Sequence, residues 1–367
     1  MKILEVTNVD FSLRHFLLPL MRGAVARGHE VVGVSADGAL LAEVRAEGLR
    51  VEALPLARSF SPRAQWRAYQ ALLALMRAER PDLVHAHMPI SGFLARLAAR
   101  AAGVPRVAYT CHGFLFNQPG PWWRRALALG IEWTGGRLTD LTLTVSEEEA
   151  ADARRLWIDR RAIAVGNGQD PARFHPDPDA RARVRAALGV PDTTPVVIIV
   201  SRLVRHKGHP ELLAAMEAVP GAELWVVGDR LPSDHGQEIE ALFATSVLGP
   251  RLRLLGYRRD VPDLLAAADV FALPSHFEGL PMSVIEAMLT GLPVVATDIR
   301  GPREQVVPDE TGLLVPPMTV VPLAAALQRL CADPALRARM GEAGCARALA
   351  CYTEAAVVTR TLDLLGL

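Results

Sequence analysis

Short apolar runs alternate with longer stretches of helical periodicity from one end of this chain to the other. In the first half the runs predict strands at Ile3–Thr7, Glu30–Val34, Val51–Ala53, Leu83–Ala86, Arg106–Thr110, Thr142–Val145 and Ile163–Val165. Between them the pattern predicts helices, notably Ser12–Ala26, Pro62–Ala78, Ser91–Ala102 and Glu147–Leu156. The second half restarts with Val196–Val200 and continues with strands at Leu224–Val227, Arg251–Leu254, Val270–Leu273, Val294–Ala296 and Gly312–Leu314. Uninterrupted apolar runs such as Pro195-Val-Val-Ile-Ile-Val200 suit strands covered on both faces. Alternation on this scale predicts an α/β fold of doubly wound domains. The rhythm breaks over a polar, proline-rich stretch from Gly166 to Pro178, which predicts the linker between two Rossmann-like domains.

Two loops carry candidate chemistry. The strand ending at Val200 leads into Ser201-Arg202-Leu-Val-Arg-His-Lys207-Gly208, ahead of a helix over Glu211–Glu217. Strand-to-helix loops are where α/β folds bind phosphates. There Arg202 offers a fork for two phosphate oxygens and Lys207 a mobile point charge. Arg205 and His206 are expected to be solvated. The second loop is Glu278-Gly-Leu-Pro-Met-Ser-Val-Ile-Glu286, with two carboxylates eight residues apart. Met282 to Leu289 reads as a helix with Pro281 in its first turn, where a missing N–H costs nothing. Glu278 then lies before the helix and Glu286 about one turn inside it. The backbone N–H groups of Gly279 and Leu280 lie at a helix start, a ready anion site. Taken alone, the pair also fits an acidic helix cap plus one exposed glutamate.

The first half has no glycine-rich fingerprint after its first strand, which argues against a dinucleotide oxidoreductase. That strand ends instead in Thr7-Asn-Val-Asp-Phe-Ser12. Asn8 and Asp10 are candidates for acceptor-side hydrogen bonds, and Ser12 is expected to cap the first helix. His85 and His87 lie two apart on a strand and so share a face. With no third ligand at suitable spacing and no Asp-x-Asp clamp, no metal is expected, and His87 is read as lining the acceptor side. Gln118-Pro-Gly-Pro-Trp-Trp-Arg-Arg125 pairs tryptophans with arginines. It reads either as a membrane-interface segment or as a helix start with Trp122 or Trp123 packed inward.

Ser201-Arg202 to Lys207-Gly208 followed by Glu278-x7-Glu286 resembles glycosyltransferase family 4, the retaining, nucleotide-sugar-dependent enzymes. Asp82-Leu-Val-His-Ala-His87, Tyr109-Thr-Cys-His112-Gly113, Asn167-Gly168-x-Asp170-x-x-Arg173-Phe174 and Val226-Val-Gly228-Asp229 fit in the same order. Arg14-His-Phe-Leu-Leu-Pro-Leu20, and the run from Gly103 through Phe114, are similar to the bacterial branch that works on lipid-linked surface-polysaccharide precursors. The resemblance implies the GT-B architecture, two Rossmann-like domains facing a cleft. It implies an acceptor-side domain over 1–170, a donor domain over 171–352, and a last helix near Thr353–Leu365 that crosses back onto the first. It implies that His112 contacts the donor sugar near the reacting centre and that Glu278 hydrogen-bonds sugar hydroxyls or stabilises charge at the anomeric region. Glu286 would bind the ribose diol, while Arg202 and Lys207 neutralise the departing diphosphate. The expected reaction moves a hexose or N-acetylhexosamine, from a UDP-sugar rather than a GDP-sugar, to a glycan or polyprenyl-linked acceptor. A UDP-sugar 2-epimerase-like isomerase and a non-catalytic nucleotide-sugar-binding partner are the alternatives.

Charge and composition narrow the partners. The chain has 367 residues, half of them hydrophobic, with 40 Lys+Arg against 40 Asp+Glu. The balance is uneven: residues 1–175 hold 22 Lys+Arg and 17 Asp+Glu, so 22 − 17 = +5 there and −5 in the remainder. A mildly basic first half makes an anionic membrane surface a candidate partner and gives no basis for nucleic-acid binding. Four cysteines without zinc spacing suggest neither a metal knuckle nor an exported disulfide scaffold. Met1-Lys-Ile-Leu-Glu-Val6 begins a strand at once, so no signal peptide is expected, and no apolar run is long enough to span a bilayer. The expected location is cytoplasmic, with room for peripheral attachment to the inner membrane face. No cofactor is expected.

Overall fold

The computed structural model describes residues 1–56, 61–230 and 239–367. The chain divides into two compact units, Met1–Gly166 with Ala355–Leu367, and Asn167–Glu354. Each is built on one parallel sheet, so the doubly wound α/β class read from the alternation holds in both.

In the first unit the strands are β1 (Lys2–Val6), β2 (Glu30–Ser35), β3 (Arg50–Ala53), β4 (Leu83–His87), β5 (Arg106–Cys111), β6 (Leu141–Thr144) and β7 (Ile163–Ala164). They lie in the order β3-β2-β1-β4-β5-β6-β7. The chain runs outward from β1 in one direction and from β4 in the other, so the switch point falls between β1 and β4. Alternate residues of each strand serve different cores. Leu4, Val6, Val84, Ala86, Val107 and Tyr109 belong to one buried cluster, while Ile3, Leu83, Ala108 and Leu143 belong to a second. The helix Glu354–Leu365 supplies Leu362 and Leu365 to that second cluster, and Arg27 ion-pairs with Asp363 at 2.6 Å.

The second unit has β8 (Val196–Val200), β9 (Glu223–Val227), β10 (Leu252–Gly256), β11 (Val270–Leu273), β12 (Val294–Thr297) and β13 (Gly312–Val315), ordered β10-β9-β8-β11-β12-β13. Its switch point lies between β8 and β11. Beneath it, Asp269 accepts from the Val196 N–H and from the guanidinium groups of Arg181 and Arg185. That network fixes the helix Pro178–Leu188 to the start of both strands.

Two local expectations change. The first helix begins at Asp10 with Val9 as its cap residue and no side-chain cap, while Ser12 is buried inside it. Between Leu13 and Leu17 the helix widens to a π-turn before continuing as Leu18–Ala26. Pro19 accounts for this, since its ring would clash with the carbonyl four residues back in a regular helix. Pro281 is likewise the cap residue before Met282–Leu289, not a first-turn residue.

Candidate functional site

The first unit gathers its polar side chains at the carboxyl ends of β1, β4 and β5. On each of these strands one face starts apolar and ends polar. Ile3 is followed by Glu5, Leu83 by His85 and His87, and Ala108 by Thr110 and His112 just past the strand end. Strand register sets Glu5 beside His85 and His87 beside Thr110. A period of two therefore puts all five on the same side of the sheet. His85 and His87 are fully buried, as is Glu5 between them.

The rings and the carboxylate form a continuous hydrogen-bonded chain. His85 Nε2 meets Thr110 Oγ1 at 2.7 Å and His85 Nδ1 meets Glu5 Oε1 at 3.1 Å. The other oxygen, Glu5 Oε2, takes His87 Nε2 at 2.9 Å, and His87 Nδ1 meets His112 Nε2 at 3.1 Å. Burial alone would raise the Glu5 carboxyl, but the adjoining His85 and His87 outweigh it and hold the group at about 2. Burial and the neighbouring histidines push His87 down to about 4 and His112 to about 3. Glu5 is thus a carboxylate, and His87 and His112 are neutral imidazoles, at ordinary pH.

Glu5 is the residue that sequence spacing missed. It lies about 80 positions from the histidines, and only the β1–β4 pairing brings it to them. Glu5, His85 and His87 offer three ligand atoms within 4.8 Å of one another, a donor set that suits zinc. Each of those atoms is already matched by a hydrogen-bonding neighbour. His87, read from sequence as lining the acceptor side, is instead buried with both ring nitrogens committed. Asp10 is also committed to the backbone: its oxygens accept from the Phe11 and Leu40 N–H groups. Asn8 differs: its side-chain oxygen is buried with no partner among the described residues, and its carbonyl accepts from the Ala36 N–H.

In the second unit the candidate loops follow β8 and β11, the two strands at the switch point, where open parallel sheets bind ligands. Lys207 Nζ donates to Glu278 Oε1 at 2.6 Å, and Ser275 Oγ donates to the same oxygen at 2.6 Å. Glu278 Oε2 has no partner among the described residues. The chain has only two lysines, Lys2 and Lys207, against 38 arginines (40 − 2). An ammonium has three donors around one point, so Lys207 can hold Glu278 and still serve an anion. Gly208 makes the loop's close approach feasible. Its φ is +78°, and a Cβ there would lie 2.0 Å from the Pro274 carbonyl oxygen. Arg202 is half-buried in the same loop, and its carbonyl accepts from the Val204 N–H and meets His209 Nε2 at 3.1 Å. Arg205 is not simply solvated: it makes two 2.8 Å bonds to the Glu211 carboxylate. His206 stacks on Phe277 with ring centroids 4.6 Å apart.

The Glu278–Leu280 turn is braced from several sides. Thr297 Oγ1 donates to the Ser275 carbonyl, Asn167 Nδ2 to that of Leu280 at 2.7 Å, and Gln305 Nε2 to that of Pro281 at 3.0 Å. The N–H groups of Gly279 and Leu280 have no acceptor among the described residues. One turn into the helix, Glu286 Oε1 accepts from Gln169 Nε2 at 2.6 Å. Burial pushes the Glu286 carboxyl up to about 7, with Gln169 and Arg173 pulling the other way. The helix-cap alternative for the paired glutamates does not describe this arrangement, since Glu278 bonds to Lys207 and Ser275 and makes no cap to the helix. Gln169, Ser275 and Gln305 are supporting residues that sequence did not single out, while Asn167 entered only as part of a family motif. Asn167 and Gln169 act across more than 100 residues of chain and Gln305 across 24, whereas Ser275 lies three residues from Glu278 in a loop with no distinctive pattern.

Comparison with known proteins bears on the whole chain. The Glycosyltransferase Family 4 model matches residues 15–173, and the Glycosyl transferases group 1 model matches residues 180–347. The putative glycosyltransferase EpsD of Bacillus subtilis is 30% identical over 373 residues, covering 99% of this chain and 96% of that protein. The UDP-Gal:alpha-D-GlcNAc-diphosphoundecaprenol alpha-1,3-galactosyltransferase of Escherichia coli is 31% identical over 272 residues, 71% of this chain and 69% of its own. Anabaena HepE, solved in complex with UDP-glucose, superposes with a TM-score of 0.85 at 22% identity, over 100% of this chain and 99% of its own, a likeness of the GT-B fold. With both models matched in order and a relative aligned along nearly its full length, this chain is a sugar-transferring enzyme that belongs to glycosyltransferase family 4.

Proposed function

We propose that this enzyme is a retaining transferase that moves a hexose or N-acetylhexosamine from a UDP-sugar to a lipid-linked glycan acceptor in surface-polysaccharide assembly. The observation that carries the reading is the Lys207–Glu278 pair at the β8–β11 switch point, beside the N–H groups of Gly279 and Leu280, which have no acceptor among the described residues. As the bond from the anomeric carbon to the diphosphate breaks, negative charge grows on the leaving group and positive charge on the sugar ring. Arg202 and Lys207 meet the first, and Oε2 of Glu278, which has no partner among the described residues, meets the second or holds a sugar hydroxyl. The N–H groups of Gly279 and Leu280 hold sugar or phosphate oxygens, and Glu286 takes the ribose diol. His112 contacts the sugar being transferred, and Asn8 is the remaining acceptor-side candidate. The name of the Escherichia coli relative supports both the UDP donor and the polyprenyl diphosphate acceptor.

The test is turnover of UDP- and GDP-sugars, with and without a polyprenyl diphosphate glycan, in excess chelator. The expected result is acceptor-dependent transfer from a UDP-sugar, with the anomeric configuration kept and no added metal. Transfer from GDP-mannose alone would reassign the donor. Release of an epimerised sugar nucleotide without acceptor would favour the isomerase. Activity lost in chelator and restored by magnesium or manganese would overturn the electrostatic roles of Arg202 and Lys207.

A membrane-bound acceptor gives meaning to the helix Trp122–Gly136. The inward-packing alternative is overturned, because Trp122 is 80% and Trp123 51% exposed, with Leu127 and Trp133 exposed as well. The guanidinium of Arg124 lies 5.1 Å from the Trp123 ring and that of Arg137 lies 3.0 Å from the Trp133 ring. Among the described residues no helix is long and apolar enough to cross a membrane. Interfacial aromatics beside cations suit the surface of an anionic bilayer. The protein should therefore co-sediment with vesicles containing phosphatidylglycerol, at about 1 kcal/mol per interfacial cation, and release in high salt. Arg124→Glu with Arg125→Glu should weaken that binding and spare donor affinity. Equal sedimentation of this variant and the parent would remove the segment from the proposal.

A further inference from the structure

The buried Glu5–His85–His87 cluster is unused by the reaction as described, yet it ends on His112. We propose that Glu5 is a positioning residue that acts through His87 to fix the tautomer of His112, leaving the Nδ1 lone pair of His112 as an acceptor for a substrate hydroxyl. The proposal rests on the functional reading given above for His112.

The argument is donor-by-donor. A carboxylate only accepts, so both histidines that reach Glu5 must donate to it. His87 therefore carries its proton on Nε2, the nitrogen 2.9 Å from Glu5. As a neutral ring, it then has a bare Nδ1. His112 Nε2 lies 3.1 Å from that bare nitrogen, so it is the donor of the pair and holds the only proton on its ring. Nδ1 of His112 is left with a lone pair. Two further contacts hold the order in place: Thr110 fixes the far nitrogen of His85, and Ser91 Oγ donates to the His87 carbonyl at 3.0 Å. The opposite tautomer of His112 would set two lone pairs face to face between the rings, and the opposite tautomer of His87 would set two N–H groups there and turn a bare nitrogen toward Glu5. The chain thus presents an acceptor to a sugar hydroxyl, and a substrate lacking a hydroxyl at that position would lose the bond.

Long-range nitrogen–proton NMR of the resting protein, with histidines labelled, reads the tautomers directly. The expected spectrum has His112 protonated on Nε2 and bare on Nδ1, with His87 the same. Glu5→Gln replaces one accepting oxygen by an amide donor. It should reverse at least one ring and lower kcat by roughly 10- to 100-fold, the scale for losing a partner behind an active residue, with the donor KM little changed. His87→Asn keeps an acceptor where Nδ1 stood and should retain most of the activity, whereas His87→Leu should lose it as Glu5→Gln does. These two variants carry the test if Glu5→Gln does not fold. Finding His112 protonated on Nδ1 in the parent, or equal kcat in His87→Asn and His87→Leu, would overturn the proposal. Stoichiometric zinc in purified protein, released together with activity by chelator, would also overturn it in favour of a metal site. The companion variant His112→Ala separates the readings. Full activity there would refute the role of His112, while the tautomer measurement stands or falls by itself.

Discussion

Glu278→Gln should lower kcat by about 10²–10³, the range seen when one electrostatic contact to a developing charge is removed. The substitution is unusually clean at this position. Among the described residues, both protein bonds of the side chain, from Lys207 Nζ and Ser275 Oγ, end on Oε1. An amide oxygen can keep both, so the loop retains its anchor, and only the free corner changes from an anionic acceptor to a neutral donor. Calorimetry with UDP should accordingly show affinity within a few-fold of the parent while turnover collapses. Lys207→Ala should do the reverse first, weakening nucleotide diphosphate binding by roughly 1.5–3 kcal/mol for the lost charged hydrogen bond. Arg202→Ala should weaken it by a similar amount. Because Lys207 and Glu278 touch, their double variant should depart from additivity by about 0.5–3 kcal/mol. A kcat within three-fold of the parent in Glu278→Gln would show that this carboxylate only holds Lys207.

Glu286→Gln should weaken donor binding and stabilise the empty enzyme at alkaline pH. The folded-state carboxyl titrates at about 7 because it is buried. A glutamate raised in this way contributes stability below its unfolded pKa near 4.3 that is lost as pH rises through 7. At pH 8 the penalty amounts to roughly 3–4 kcal/mol, from about 2.7 pKa units (7 − 4.3) at about 1.36 kcal/mol each. Denaturant unfolding should therefore find the Gln variant more stable than the parent at pH 8 and nearly equal at pH 4. Binding has the opposite sign. A ribose diol donates hydrogen bonds to the carboxylate, so affinity for a UDP-sugar should rise with pH through 7 in the parent. The amide offers one accepting oxygen in place of two, so the variant should bind about 10- to 100-fold more weakly, with no such pH dependence. A UDP-sugar is the proper probe, since its diphosphate loses no proton near neutrality. Unchanged affinity together with the gain in stability would mean that Glu286 is a buried liability without a ligand.

The sequence by itself determined the class of fold and the loops worth inspecting. Its strand runs correspond to the seven and six strands of the two sheets, because apolar periodicity is a local property that burial reads directly. Lys207 and Glu278 were also legible, since each follows a buried strand and precedes a helix start. What sequence could not supply was every relation made by lateral strand pairing or by a bond across loops. Glu5 looks like a polar lapse in an apolar strand until the β1–β4 register sets it beside His85. Trp122 and Trp123 read equally well as core or surface, because aromatic residues serve both and only the helix's orientation decides. Ser12 matched a capping pattern, yet the helix had already started at Asp10 and buried it. In the second unit, strand order alone made β8 and β11 neighbours, and with them Lys207 and Glu278, 71 residues apart in the chain. Local pattern fixes what each segment becomes, while the pairing of distant strands decides which charges meet.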